Sequence, residues 1–455
     1  MNRKWYYSTL AIILLSLVIR QPVLLLLGIL ALLVLASTDI WANYCMRNLR
    51  YTRVLSERRV LFGEEFTFSI TLENAKLLPL PWLEIEEAIA RSLVFVGRNA
   101  RVHQGSESFV MESLFSLRWY ERVTRRYAVA CIQRGVHAIG PTTLRSGDVF
   151  GFLSRQETLA NREYLLVYPM VVPLTRFSLP ARHPFGDYKA PRRLLEDPSR
   201  VVGVRDYQYG DELRRVHWKA TARAMQLQSK VYQPTTTYTM VIFLNVMQQL
   251  DVWYGIHPEL QELSICAAAS VANWALDEGL AVGLYANAMM YIPEIGMKLP
   301  APGEAGEEAV SLATIVAEEL KRRRIHLPPA SNEDQRQRIM ETLARVQTYF
   351  GSPLEDLIQT ERTRLPTGAT IVVITSAISE PLIDSLARTQ SAGHSVTILF
   401  VGDMPISKHL AGIAVYHIGG EATWKQFMAQ AEDVANHIPT DNGRPKDQIA
   451  SALQL

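Results

Sequence analysis

Two apolar runs open the chain, residues 5–19 and 23–40, separated only by Arg20, Gln21 and Pro22. As helices they would extend roughly 22 Å and roughly 27 Å, against a bilayer hydrocarbon core of about 30 Å. Proline disrupts a helix interior, so Pro22 and the charge of Arg20 predict a break between the runs. The pattern reads as a transmembrane helical hairpin over residues 1–45, with a single bent span as the other geometry. Arg3 and Lys4 precede the first run, and Arg47, Arg50, Arg53, Arg58 and Arg59 follow the second. The positive-inside rule puts both flanks in the cytoplasm, which only a hairpin achieves. A cleaved signal peptide fits less well, because the apolar stretch continues far past a normal h-region.

Beyond the anchor the period shortens. Phe66, Phe68, Ile70 and Leu72 alternate with polar residues, and Leu83 and Ile85 alternate with Glu84 and Glu86. Residues 127–132 and 142–144 supply further short strands. Strands of this length and spacing predict a small β-sandwich-like domain over 54–172, a module with no visible chemistry. Residues 173–237 then form a linker, rich in proline and arginine from 173 to 198, and a charged segment.

That segment carries Arg205, Asp206, Asp211, Glu212, Arg214, Arg215, Trp218, Lys219 and Arg223. Asp211 is placed to cap a helix whose apolar stripe would be Leu213, Val216, Ala220 and Leu227. Two readings remain open. The segment is a cationic surface for an acidic partner or an anionic ligand, or a clamp in which its charges pair and Trp218 packs against the next domain. His217 reads as a hydrogen-bonded packing residue.

From residue 238 to 436 strand and helix alternate. Continuous apolar runs at 240–244, 280–285, 370–374 and 396–401 read as buried strands, with a further strand at 413–416. Helices are predicted at 258–278, 304–324, 332–349 and 379–392, and from 422. The alternation predicts a mostly parallel sheet with helices on both faces, whose ligands sit at the carboxyl ends of the strands. Residues 437–455 read as a flexible tail. The fold class is therefore multidomain: hairpin, β-sandwich, α/β domain.

Composition removes several functions. The 455 residues carry a net charge of +2, without the basic excess of a nucleic-acid binder. Cys45, Cys131 and Cys266 are too few and too widely spaced for a disulfide framework. No phosphate-cradling GxxxxGK[ST], GxSxG elbow or HExxH occurs, which leaves a hydrolase with an unrecognised strand-end site as the alternative to a non-enzymatic role.

Residues 134–141, 147–152 and 167–169, and above all 205–223, resemble the bacterial family named domain of unknown function 58. The order of anchor, β-rich region, charged segment and α/β region fits it as well. The resemblance implies a protein of the bacterial inner membrane and an α/β region similar to a von Willebrand factor A domain, in a family with no general enzymatic activity established, so no enzyme is expected. It further implies an adaptor or assembly role beside a MoxR-type AAA+ ATPase. Von Willebrand A domains often hold a divalent cation on an Asp-x-Ser-x-Ser loop. Here Asn245, Met247 and Gln249 stand at those positions, so no metal and no cofactor are expected.

Overall fold

The structure is a computed structural model, and it describes residues 3–96, 101–104, 109–148, 152–177, 179, 185, 196–209, 211–234, 238–246, 257–292, 324–347, 353–403, 409–410 and 412–437. The described residues divide into two compact units, one built mainly on residues 1–168 and the other mainly on 169–427.

The first unit begins with helices α1 (Arg3–Ile19) and α2 (Pro22–Tyr44). Arg20 at φ 53° makes the break between them. The helices run antiparallel: the Tyr6 hydroxyl donates to the Leu35 carbonyl at 3.1 Å, and a Cβ on Gly28 would come within 2.7 Å of Ile13. Their packing is inverted relative to a water-soluble helix pair. Thr9, Ser16, Gly28 and Thr38 are buried, while Leu17, Val18, Leu26, Leu30 and Leu33 are exposed. The buried hydroxyls donate to carbonyls of their own helix, as Thr38 does to Leu35 at 2.9 Å. Small residues inside and large apolar ones outside is the arrangement of helices surrounded by lipid. By length and composition α2 can cross a membrane, and α1 is apolar but shorter.

The rest of this unit is β-structure. One sheet pairs Leu49–Leu55, Glu65–Asn74, Arg122–Cys131 and Leu93–Val96 in that order. A second pairs Ser154–Leu159, Thr142–Gly147, Leu80–Ile89, Phe109–Leu117 and Arg101–Gln104. Phe66, Phe68, Ile70 and Leu72 from the first sheet share a core with Leu83, Ile85, Met111 and Phe115 from the second. Period-2 alternation puts these side chains on one face of each sheet and polar ones outside.

Two charged residues break that rule. Glu87 lies in phase with Leu83, Ile85 and Ile89, and its side chain is wholly buried. Arg53 meets it from the facing sheet, its guanidinium on Glu87 Oε1. The Tyr51 hydroxyl at 2.8 Å and the Thr142 hydroxyl at 2.9 Å donate to Glu87 Oε2, and Arg53 Nη2 donates to the Asn161 carbonyl at 3.2 Å. Gly140, at φ 102°, makes room: a Cβ there would lie 2.6 Å from the Asn161 carbonyl and 3.0 Å from the guanidinium. Arg53, counted above with the charges that flank the anchor, is instead a core residue of the sandwich. A second buried polar pair joins Ser92 to His137, whose Nδ1 accepts from the Ser92 hydroxyl at 2.8 Å while Nε2 donates to the Gln133 carbonyl. Burial pushes the His137 imidazole below its usual pKa.

The second unit is organised on a sheet of order Arg324–Ala330, Ala281–Met290, Thr239–Leu244, Thr370–Thr375, Ser395–Val401, Ile413–Gly419 and His409–Leu410. The five inner strands are parallel, and Arg324–Ala330 and His409–Leu410 are antiparallel at the edges. Val241, Phe243, Ile371, Val373 and Ile398 pack beneath helices Leu354–Glu361 and Glu380–Ser391. Met240, Ile242 and Leu244 point the other way, toward the face covered by helix Pro258–Asp277. Each inner strand is thus buried on both faces, which explains its unbroken apolar sequence. Helix Glu421–His437 follows the last inner strand.

Two expectations are refined here. The helix expected at 332–349 ends at Arg345, and Val346–Gln347 returns as a short strand beside Ala281–Met290. The helix expected at 304–324 lies outside the described residues except for Arg324, which opens strand Arg324–Ala330, and the tail at 437–455 lies outside them except for His437.

Candidate interaction surface

The charged segment is the tip of a two-stranded antiparallel ribbon, Glu196–Asp206 paired with Gln228–Pro234. Between the strands the chain makes a 3-10 turn, Leu213–Arg215, and a short helix, Trp218–Ala224. Asp211 does not cap this helix. It accepts from Arg205 Nη2 at 2.7 Å and from the Gln208 amide at 3.1 Å, closing the turn ahead of the 3-10 residues. The adjacent guanidinium holds the Asp211 carboxyl below its usual pKa. The cap is His217, whose Nδ1 accepts from the Ala220 amide at 3.0 Å. A helix starting at Asp211 fails because residues 212 and 216 are extended, so seven helical residues replace the longer run.

The expected apolar stripe is not a buried face either. Val216 is buried and bridges to Ser229, but Leu213 is 72% exposed and Leu227 is exposed too. Trp218 is 68% exposed, so it does not pack as the clamp reading requires. Asp206 accepts from Gln228 Nε2 at 2.6 Å, and Arg205 also donates to the Asp206 carbonyl. Glu212, Arg214, Lys219 and Arg223 are exposed and Arg215 is half-buried. The structure therefore divides the nine residues: Arg205, Asp206 and Asp211 shape the tip, Glu212, Arg214, Trp218, Lys219 and Arg223 are exposed, and Arg215 lies between the two sets.

Apolar side chains that sequence reasoning passed over join this surface. Tyr209 and Met225 stand out from the tip along with Leu213 and Trp218. Met225 sits at φ 54°, the left-handed turn that ends the helix. Their irregular spacing gives no helical or strand periodicity, so a pattern search does not find them. On the helix side, His217, Lys219, Ala220, Arg223 and Val204 line an open hollow of about 390 Å³. Exposed tryptophan, tyrosine and arginine together are the composition of residues that dominate protein–protein binding.

On the carboxyl-terminal side of Thr239–Leu244, Ala281–Met290 and Thr370–Thr375 the described groups that meet are neutral, whereas Asp403 follows Ser395–Val401 and its Oδ1 accepts from the Glu421 amide at 2.9 Å. Asn245 Nδ2 donates to the Thr375 hydroxyl at 3.0 Å, Asn287 Nδ2 donates to Asn245 Oδ1 at 2.7 Å, and the Val246 amide donates to Asn287 Oδ1 at 2.9 Å. The three side chains are buried and tie together the ends of three adjacent strands. Asn245 Oδ1, where a cation-binding carboxylate was expected to be missing, is occupied by this network. Met247 and Gln249 lie outside the described residues.

Residues 203–412, from the ribbon's first strand through most of the sheet, match the family model described as protein of unknown function DUF58. The chain is similar to that family. It is also 23% identical over 245 residues to the uncharacterized protein YeaD of Bacillus subtilis, a match covering 53% of this chain. The chain spans 57% of the length of that curated relative. Both findings support the DUF58 resemblance. Among solved structures, the CARDB domain of a Pyrococcus furiosus protein matches 26% of this chain and 91% of its own, at 12% identity and a TM-score of 0.19. A type II cohesin domain of Acetivibrio cellulolyticus matches 26% of this chain and 95% of its own, at 12% identity and a TM-score of 0.20.

Proposed function

We propose that this chain is a membrane-anchored, non-enzymatic interaction protein that engages a protein partner through the tip of its charged ribbon. The observation that carries the reading is the exposure of Tyr209, Leu213, Trp218 and Met225 on one short segment that also exposes Arg214, Lys219 and Arg223. Apolar side chains of this size rarely cluster on an unpartnered surface. The inverted packing of α1 and α2 supports a transmembrane hairpin. Arg47, Arg50, Arg58 and Arg59, with Arg53 now set aside, support a cytoplasmic body at the bacterial inner membrane.

The doubly wound strand order supports the von Willebrand factor A-like reading of the second unit, with the neutral Asn245–Asn287–Thr375 network in place of a cation loop. The partner implied by the DUF58 resemblance is a MoxR-type AAA+ ATPase, and the role that of an adaptor in protein assembly or maturation. Tethering holds such a partner at high local concentration beside the bilayer.

The test uses the full chain in detergent or nanodiscs with a purified MoxR-type ATPase. Binding is expected, and Trp218→Ala or the triple change Arg214→Glu, Arg215→Glu, Lys219→Glu should weaken it at least about ten-fold, the loss of one hot-spot residue. Equal binding by all variants removes the ribbon from the interface, and no binding by the unaltered chain removes this partner.

A further inference from the structure

The β-sandwich has two ends, and they differ. Leu49 sits opposite Asn74, Glu73 opposite Arg122, and Leu80 opposite Leu117. The loops 75–79 and 118–121 therefore share the end at which α2 enters the domain. Asn74 fastens them to each other, its Nδ2 donating to the carbonyls of Leu78 at 2.9 Å and Arg118 at 2.8 Å. Lys76 fastens them to the helix. Its ammonium donates to the carbonyls of Cys45 and, at 2.7 Å, Arg47, just past the last turn of α2. A cation at a helix C-terminus also complements the helix dipole.

Beside this tie stand three large side chains that the sandwich core does not use. Leu77 is 74% exposed, Trp119 63% and Tyr120 66%. The Tyr120 amide donates to the Lys76 carbonyl at 3.3 Å, so the two loops that carry these side chains meet beside the lysine that grips the helix. Segments 44–50, 73–80 and 117–122 carry five basic residues, Arg47, Arg50, Lys76, Arg118 and Arg122, against Glu73 and Glu121, with Arg122 and Arg50 both sharing Glu73 at 2.8 Å and 3.9 Å. Tryptophan and tyrosine favour the boundary between acyl chains and headgroups, and basic residues beside them favour anionic lipid.

We propose that this end of the sandwich is a lipid-contact surface: Leu77, Trp119 and Tyr120 enter the headgroup layer of the bilayer that α2 crosses, with the flanking arginines against anionic headgroups. The proposal rests on the membrane-anchored reading and adds a second, peripheral contact to it. The occupant is fixed by continuity, because the loops are hydrogen-bonded to residues within three positions of the end of the spanning helix. The domain then stands on the membrane in a set orientation.

The test places a spin label at one position at a time in the full chain, leaving the three buried native cysteines in place, in nanodiscs of phosphatidylcholine and phosphatidylglycerol. Leu77→Cys and Trp119→Cys report on the surface. Leu61→Cys reports on the opposite end of the sandwich, where Gly63 meets Cys131, and Leu30→Cys reports on α2. The ratio of oxygen to nickel-chelate accessibility at 77 and 119 is expected to exceed that at 61 by roughly three-fold or more, as for side chains in the interface. Ratios at 77 and 119 equal to that at 61, with position 30 in lipid, overturn the lipid contact and leave the anchor standing. Position 30 exposed to the nickel chelate overturns the anchor and this surface together.

Discussion

The β-sandwich and the α/β sheet both bury polar side chains between their layers, but with different chemistry. The sandwich joins its two sheets through a charged pair, Arg53 and Glu87, supported by Tyr51 and Thr142. The α/β sheet joins three strand ends through neutral groups, Asn245, Asn287 and Thr375. A buried ion is far more expensive than a buried amide if its partner is lost. The first arrangement enforces register between sheets strongly but tolerates no half-measure, whereas the second yields gradually.

That contrast sets the order of expected effects. Glu87→Ala leaves the buried Arg53 guanidinium with the longer, 3.8 Å contact to the partly exposed Glu163 carboxylate as its ionic partner, and should cost about 3–5 kcal/mol. Denaturant melts of the full chain, with hydrogen exchange of peptides from 49–55 to localise the loss, would check it. Replacing both partners, Arg53→Met with Glu87→Leu, should recover most of that loss, and failure to recover would mean the ion pair stabilises beyond its own desolvation. Asn287→Ala removes two hydrogen bonds from the strand-end network and should cost about 1–3 kcal/mol, seen as lost protection in 281–290. If it equals the Glu87 effect, the distinction between charged and neutral cores fails.

A third measurement uses pH. His137 is held neutral, donating through Nε2 and accepting through Nδ1, and its folded pKa is depressed by burial. The unfolded chain therefore binds the proton first. Stability is full above the ordinary histidine pKa of about 6.5 and falls as pH drops below it. His137→Asn should flatten the profile of sandwich protection between neutral and mildly acidic pH. The smallest effect belongs to the ribbon, where His217→Ala removes a helix cap at about 1 kcal/mol and frays only residues 218–224.

Much of both cores could be read from spacing. Phe66, Phe68, Ile70 and Leu72 announce a half-buried strand, and the unbroken run at 240–244 announces one covered on both sides. What escaped was polar or irregular. Glu87 continues the inward phase of Leu83 and Ile85, a signal visible in the sequence once a charge in a core phase is taken seriously. Arg53 was hidden among arginines that looked like topology determinants. Strand Arg324–Ala330 contains Pro328 and Pro329, which argue against an inner strand and permit only an edge. The ribbon's outward side chains follow no period, because exposure imposes none.

The edges of the α/β sheet carry one more consequence. One border is the proline-bearing strand Arg324–Ala330, with Pro329 packed against Gly283, and the other is the two-residue strand His409–Leu410. Among the described residues, Pro328 and Pro329 remove two backbone donors from the first border, and His409–Leu410 covers only Ile413 and Ala414 of its neighbour, leaving Val415–Gly419 as uncovered edge. A strand added from another polypeptide would have to pair along those five residues, because the proline-bearing border presents an interrupted row of donors.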